Sequence, residues 1–256
     1  ASTADLTAVI PYNDVEAVRT LMTANGDQVA AIIVEPIAGN MGCVLPVPGF
    51  LEQLRELCTQ HGSLLIFDEV MTGFRVHAGG AQSLLGIDPD LTTLGKIVGG
   101  GMPMGVICGS REVMENFSPT GSVYQAGTLS GNPLSVAAGI ALLTELRDRA
   151  DEIYPALEAK GQQLQEGWQQ ALDRHGIAHC WNRAGSMFGL FFTEGPVNNF
   201  SDASGADEQL FRRFFHGMLA AGVAIAPSPY EAGFLSMAHS AQDIDHSTTV
   251  IENLSL

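Results

Sequence analysis

Along the first half of the chain, apolar residues gather in short continuous runs separated by stretches with helical spacing. That alternation predicts a layered α/β architecture. Val29 to Val34 (VAAIIV) is unbroken, as expected for a strand covered on both faces. Phe50 to His61 carries Leu51, Leu54, Leu57 and Cys58 on one helical face, and Gly62 closes it. Ser63 to Phe67 (SLLIF) is a second buried strand, ending in Asp68-Glu69. Leu91 to Leu94 and Gly105 to Cys108 read as shorter strands around a glycine-rich turn. Ala137 to Leu146 reads as a helix introduced by Asn132-Pro133.

Past Arg147 the pattern changes. Ile153, Leu157, Leu164, Trp168 and Leu172 mark one face of a long helix from Ala150 to His175, stopped by Gly176. Met187 to Thr193 predicts a strand. Asp207 to Ala221 predicts a helix whose core face holds Phe211, Phe214, Phe215 and Met218. Val223 to Ala226 and Phe234 to Met237 predict two more short strands. Ser240 and Asp243 open a last helix with a capping-box pattern. The loop from Thr193 to Gly205, with Pro196 and two asparagines, is expected to be disordered. The chain thus divides into residues 1–147 and a smaller α/β unit over 148–256.

Composition acts mainly by exclusion. The 256 residues are 46% hydrophobic and 16% charged, a globular mixture with enough chain to bury a core. A net charge of −16, with lysine only at Lys96 and Lys160, argues against nucleic acid or an anionic membrane surface as partner. No apolar stretch reaches the roughly 18 residues of a membrane-spanning helix. The most apolar window, Ile97 to Gly109, is broken by Gly99, Gly100, Gly101 and Pro103. Cys43, Cys58, Cys108 and Cys180 form no close pair, which predicts reduced thiols in a cytosolic protein. Ala1 to Asp5 has no basic-then-apolar signal pattern, leaving a bacterial cytoplasm, or a plastid stroma after loss of a transit peptide.

The two lysines differ in setting. Lys160 lies between Glu158 and Gln162 on a solvated helix face, whereas Lys96 is the only charge between Leu91 and Ser110. A desolvated ammonium is costly and its neutral amine easier to reach, which suits a lysine that forms a Schiff base. The plainer alternative is a stem lying on apolar surface with its head in water. Asp68 ends a buried strand, the edge where open α/β sheets bind ligands. A carboxylate of the Asp68-Glu69 pair could meet a protonated pyridine nitrogen, cap the next helix, or pair with Arg75. An acid at one strand end and an isolated lysine after the next strand together suit a pyridoxal phosphate site.

Two stretches, Leu65-Ile66-Phe67-Asp68-Glu69-Val70-Met71-Thr72-Gly73-Phe74-Arg75 and Leu94-Gly95-Lys96, resemble the class III, fold-type I pyridoxal phosphate aminotransferases. Four more resemble the glutamate-1-semialdehyde aminomutase branch: Val34 to Gly42, Pro89 to Gly101, Val123 to Pro133 and Pro227 to Phe234. The likeness runs from about Tyr12 to the C-terminus. It implies an α/β fold: part of the large mostly parallel-sheet domain of a fold-type I enzyme (1–147), followed by a smaller α/β C-terminal domain (148–256). It implies pyridoxal or pyridoxamine 5′-phosphate as cofactor. Lys96 would be the Schiff-base lysine and proton carrier, Asp68 the partner of the ring nitrogen, Val70 a contact to the ring face, and Asn40 the partner of the phenolic oxygen. Glu35 would line the same pocket. Gly127 and Thr128, with Tyr124 close by, would reach the phosphate of the other subunit's cofactor in a homodimer. Glu231 would lie near the substrate, glutamate-1-semialdehyde, whose internal amino transfer gives 5-aminolevulinate.

The family's phosphate-cradling loop, ring-stacking aromatic and substrate-carboxylate arginine precede the residues that match Ala1, so the likeness implies a C-terminal portion that binds cofactor poorly alone. Two rivals stand beside this reading. One is a class III ω-aminotransferase with an external amino donor, against which Ala38-Gly39-Asn40 counts where a Gln-Gly pattern is usual. The other is a non-catalytic dimerisation module. His175 and His179 have the spacing of helical metal ligands, but Gly176 interrupts them and no third ligand is near, so no metal is expected. Gly99-x-Gly101 lacks the third glycine of a dinucleotide loop, and no GxSxG elbow occurs.

Overall fold

A computed structural model describes residues 4–256. Four strands form the first sheet: β1 (Ala31–Val34), β2 (Leu64–Asp68), β3 (Leu91–Leu94) and β4 (Val106–Gly109), in that order. The first three are parallel, with Val34 opposite Phe67 and Asp68 opposite Thr93, and β4 closes the row antiparallel. Around them run α1 (Val15–Asn25), α2 (Phe50–His61), α3 (Gly80–Leu85), α4 (Arg111–Met114) and α5 (Pro133–Asp148). The second part begins with the 25-residue α6 (Ala150–Arg174). It continues with β5 (Cys180–Ala184), β6 (Met187–Phe191), α7 (Phe200–Ser204), α8 (Glu208–Ala220), β7 (Gly233–Phe234) and α9 (Ala241–Glu252). Strands β5, β6 and β7 make a separate antiparallel sheet. The α/β class, a mostly parallel sheet followed by a smaller α/β portion, is as expected.

Local chemistry sets the element ends. Asn132 Oδ1 accepts from the backbone N–H groups of Leu134 and Ser135, and Pro133 follows in the first helical turn, where its missing N–H costs nothing. Ser240 and Asp243 form the reciprocal capping box at the start of α9. Helix α2 stops at Gly62, whose φ of 71° suits glycine.

Burial then fixes the layers. Leu51, Leu54, Leu57 and Cys58 of α2 pack with Val18 and Met22 of α1 and with Leu65 and Phe67 of β2. In the second part, Leu164, Trp168 and Leu172 pack with Phe211, Phe214 and Met218 and with Ile244 and Ile251 of α9. Two smaller clusters join the parts: Ile37, Cys43 and Val76 meet Met187 and Ala232, and Ala38 and Val44 meet Phe191, Val197 and Ala203.

Three expectations need correction. The loop from Thr193 to Gly205 is not disordered: Val197 is buried, Asn199 caps α7 through Asp202 N–H, and Ala203 packs inside. Two asparagines that read as loop composition serve as a helix cap and its neighbour. Val223 to Ala226 forms no strand, because the segment lies beside α8 and its apolar side chains contact the core without a ladder partner. Phe234 to Met237 contributes only Gly233–Phe234 to the sheet, where Phe234 pairs with Met187. Conversely, β5 was not anticipated, since Cys-Trp-Asn-Arg-Ala has no clean alternation.

Candidate functional site

Because β1, β2 and β3 run parallel, the residues just beyond each strand meet at one edge of the sheet. Glu35 follows β1, Asp68 ends β2, and Gly95-Lys96 follow β3. The ladder continues one step further, since Glu69 N–H donates to Thr93 O at 2.9 Å. Val70 lies against the Lys96 turn: a Cβ on Gly95 would stand 3.1 Å from Val70 Cγ1. The structure therefore brings Asp68, Val70 and Lys96 to the ends of two adjacent strands.

Lys96 has φ of 48°, a left-handed conformation that costs a non-glycine residue about 1 kcal/mol and collects at functional sites. It opens a short 3-10 turn, Lys96–Gly99, that presses on α5. At Gly100 (φ 58°) a Cβ would lie 2.3 Å from Ala138 O, so only glycine allows this approach. Of the two settings considered for Lys96, the plainer one holds: the residue is exposed. Its neutral neighbours Val98 and Gly99 are buried in the turn, while Lys96 is left uncovered.

The adjacent carboxylates Asp68 and Glu69 divide two roles. Glu69 is 1% exposed and points inward, where Thr72 Oγ1, the N–H groups of Ala81 and Gln82, and Gln82 Nε2 all donate to it. Here the helix-capping alternative considered for the pair falls to Glu69. Asp68 is half-buried and accepts at Oδ1 from Val70 N–H at 3.0 Å. Arg75 does not pair with it: the guanidinium stacks 4.2 Å from the centre of the Phe234 ring and donates through Nε to Met71 O. Burial of this guanidinium lowers its pKa.

The loop after β1 is closely tied. Tyr12 Oη donates to Pro36 O, Ala38 and Val44 exchange backbone hydrogen bonds, and Asn13 holds Leu45 and Val47. Burial, reinforced by nearby Glu35, raises the Tyr12 pKa far above the usual phenol range, so it stays a donor. Glu35 spends its two oxygens on Gly39 N–H (2.8 Å) and Asn40 Nδ2 (3.2 Å). Gly42 N–H donates to Tyr230 O at 2.7 Å, which ties this loop to the segment carrying Glu231. Glu231 itself is exposed and borders an apolar cavity of about 280 Å³ lined by Trp168, Phe188, Phe211 and Phe214.

Tyr124, Gly127 and Thr128 are exposed, with Tyr124 at 81%, and their segment is held by local turns. His175 Nε2 contacts Ile251 O and His179 Nδ1 contacts Ile177 O, each at 2.8 Å. Among the described residues no cluster of three or more His, Cys, Asp or Glu could hold a metal ion, and no helix is long and apolar enough to cross a membrane.

A family model described as aminotransferase class-III matches residues 3–251. The chain belongs to the class-III aminotransferases. A member named glutamate-1-semialdehyde 2,1-aminomutase 2, from Exiguobacterium sibiricum, is 50% identical over 252 residues, which are 98% of this chain and 57% of that protein. The chain thus spans little more than half the length of that relative. Among solved structures, a β-phenylalanine aminotransferase from Variovorax paradoxus superposes with a TM-score of 0.87 at 36% identity, covering 96% of this chain and 56% of its own. A glutamate-1-semialdehyde aminomutase from Pseudomonas aeruginosa, in complex with PMP, gives 0.84 at 26% identity over the same shares. The chain has the fold of these fold-type I enzymes.

Proposed function

We propose that the protein uses pyridoxal 5′-phosphate, and its pyridoxamine form, to convert glutamate-1-semialdehyde to 5-aminolevulinate by internal amino transfer. The observation that carries this reading is the meeting of Asp68, Val70 and strained Lys96 at the ends of two adjacent parallel strands, with Asn40 held by Glu35 just past the third. The residues fit the group: an amine for its aldehyde, a carboxylate for its ring nitrogen, an isopropyl group for its ring face and an amide for its phenolic oxygen. When bound, the cofactor supplies a carbonyl that takes up amines and a ring that withdraws electrons.

Lys96 Nζ would hold the aldehyde and carry a proton between the two substrate carbons, a task for which one amine on a short tether is well placed. Asp68, fixed by Val70 N–H, would keep the ring nitrogen protonated. Glu231 would stand near the substrate. Gly127 and Thr128, with Tyr124, would complete the phosphate site of a second copy in a homodimer, a role supported by their exposure. We place the boundary between the cofactor-binding part and the small part at the junction of α5 and α6, with 1–147 before it and 148–256 after. The scattered cysteines support a cytoplasmic protein.

The name of the 50% identical relative supports the aminomutase over the external-donor alternative, which the aminotransferase neighbours favour. The deciding assay gives the full-length protein glutamate-1-semialdehyde and cofactor with no amino acceptor. Formation of 5-aminolevulinate is expected. Turnover only with 2-oxoglutarate and an amino donor would assign an ω-aminotransferase, and no turnover with no visible cofactor band would leave a non-catalytic module.

A further inference from the structure

We infer that Glu35 is a positioning residue that sets which end of the Asn40 amide meets the cofactor's phenolic oxygen. The inference rests on the proposed cofactor site and deepens it. A carboxylate only accepts hydrogen bonds, so the atom of Asn40 at 3.2 Å from Glu35 Oε1 must be its nitrogen. The other carboxylate oxygen is held by Gly39 N–H at 2.8 Å, a backbone donor with a fixed direction. One side chain therefore fixes the backbone at 39 and the amide at 40. Asn40 is exposed, and among the described residues its second N–H and its Oδ1 have no partner. Glu35 thereby makes Asn40 a donor, through Nδ2, toward a phenolate oxygen.

Glu35 is held by Gly39 and Asn40. It borders an apolar cavity of about 280 Å³ lined by Ile10, Tyr12, Val34, Ala38, Met41 and Phe50, on the α1 and α2 side of the loop. Replacing it by glutamine has a defined consequence. Gly39 N–H still demands an acceptor and takes Gln Oε1, so Gln Nε2 faces Asn40 and needs an acceptor in turn. The Asn40 amide must then reverse, placing Oδ1 where Nδ2 stood, an acceptor against an oxygen that is also an acceptor.

The test uses the full-length protein loaded with pyridoxal 5′-phosphate and reads the pH midpoint of the bound cofactor's visible absorbance change. Loss of a donor to the phenolate makes protonation easier. Glu35→Gln is expected to raise the midpoint by about 1 pH unit, a tenfold change in the protonation constant. Asn40→Ala should raise it similarly. In the Asn40→Ala background Glu35→Gln should then add less than about a third of its single effect, because it has no amide left to turn. Should Glu35→Gln fold poorly, Glu35→Ala, which removes the orienting acceptor without supplying a donor, is expected to give a smaller rise in the same direction. Equal shifts from Glu35→Gln in both backgrounds would show a merely structural effect and overturn the inference. A shift with Asn40→Ala and none with Glu35→Gln would overturn it while leaving the cofactor reading intact. No shift with Asn40→Ala, in a protein that still binds the cofactor, would remove Asn40 from the ring and the inference with it.

Discussion

The carboxyl edge of the parallel sheet and the exposed segment from Asn116 to Asn132 are proposed to serve two different copies of the cofactor, the edge its own and the segment that of a second protein copy, and the chain holds them in opposite ways. At the sheet edge every candidate is tied to something: Asp68 to Val70 N–H, Asn40 to Glu35, and the Lys96 turn to α5 through Gly100. In the segment, Tyr124 and Leu129 are 81% and 68% exposed, and between its anchored ends the backbone hydrogen bonds close short turns, Ser118 to Val123 and Gly127 to Ser130. A site built at strand ends inherits the rigidity of the ladder, because each strand end is fixed by a neighbour. A site that is completed from another copy need carry no such support. The two regions should therefore respond differently to mutation: the first through chemistry and stability together, the second through binding alone.

The largest effect expected is at Lys96. In the full-length protein Lys96→Ala should lower turnover by at least about a thousandfold and remove the visible cofactor band, as expected when a covalent and proton-carrying amine is lost. Because the Lys96 side chain is exposed and alanine bears the same positive φ, the melting temperature of the cofactor-free protein should not fall. A band that survives the substitution would break the assignment of the lysine.

Glu69→Ala comes next and separates position from stability. It leaves Thr72 Oγ1 and the N–H groups of Ala81 and Gln82 without their acceptor in a buried place, a loss of about 3 kcal/mol. Urea unfolding of the full-length protein measures it. A change under about 1 kcal/mol would mean that the turn after β2 is not held as the hydrogen bonds imply.

Thr128→Val tests the other side of the comparison. Its hydroxyl is assigned to a partner's cofactor, so cofactor affinity should fall about tenfold, as for one lost hydrogen bond to a charged group. Unfolding of the cofactor-free protein should be unchanged, since Thr128 is exposed. If stability fell as with Glu69→Ala while affinity held, the two regions would not differ in the way proposed.

What could be read from the sequence follows the same division. Strands β2 and β3, helix α2 and the capping of α5 and α9 were legible because period, glycine stops and cap residues agree locally. That Asp68 and Lys96 lie at the ends of neighbouring strands was legible because it needs only adjacent parallel strands. The roles of Glu69 and Glu35 were not, since nothing in Asp-Glu says which carboxylate turns inward, and the donors that decide it lie 12 or 13 residues away on α3. Neutral neighbours left the setting of Lys96 open between a desolvated amine and one in water, and only the fold decides for exposure. Strand β5 was missed for a related reason, as Trp181 and Arg183 find their partners only in tertiary contact, the one against Trp168 and the other with Glu158 on α6.

The smallest effect lies far from both regions and serves as their control. Asp243 accepts from Ser240 N–H at 2.7 Å and from the Ser240 hydroxyl, and these bonds hold its carboxyl below the usual aspartate range. A carboxyl with a lowered folded pKa stabilises the protein above its unfolded value near about 4, and that contribution is lost as pH falls through the folded value. Asp243→Asn should therefore lower the melting temperature slightly at neutral pH, and the gap to wild type should close as the solution is acidified toward roughly pH 2. Cofactor affinity and turnover should not move. If this substitution changed the cofactor's absorbance, α9 would be coupled to the sheet edge through the contacts that join the two parts, among them Gly42 to Tyr230, Asn13 to Asn198, Tyr154 to Phe74 and Arg75 on Phe234, and the contrast between a self-supporting edge and a borrowed one would have to be redrawn.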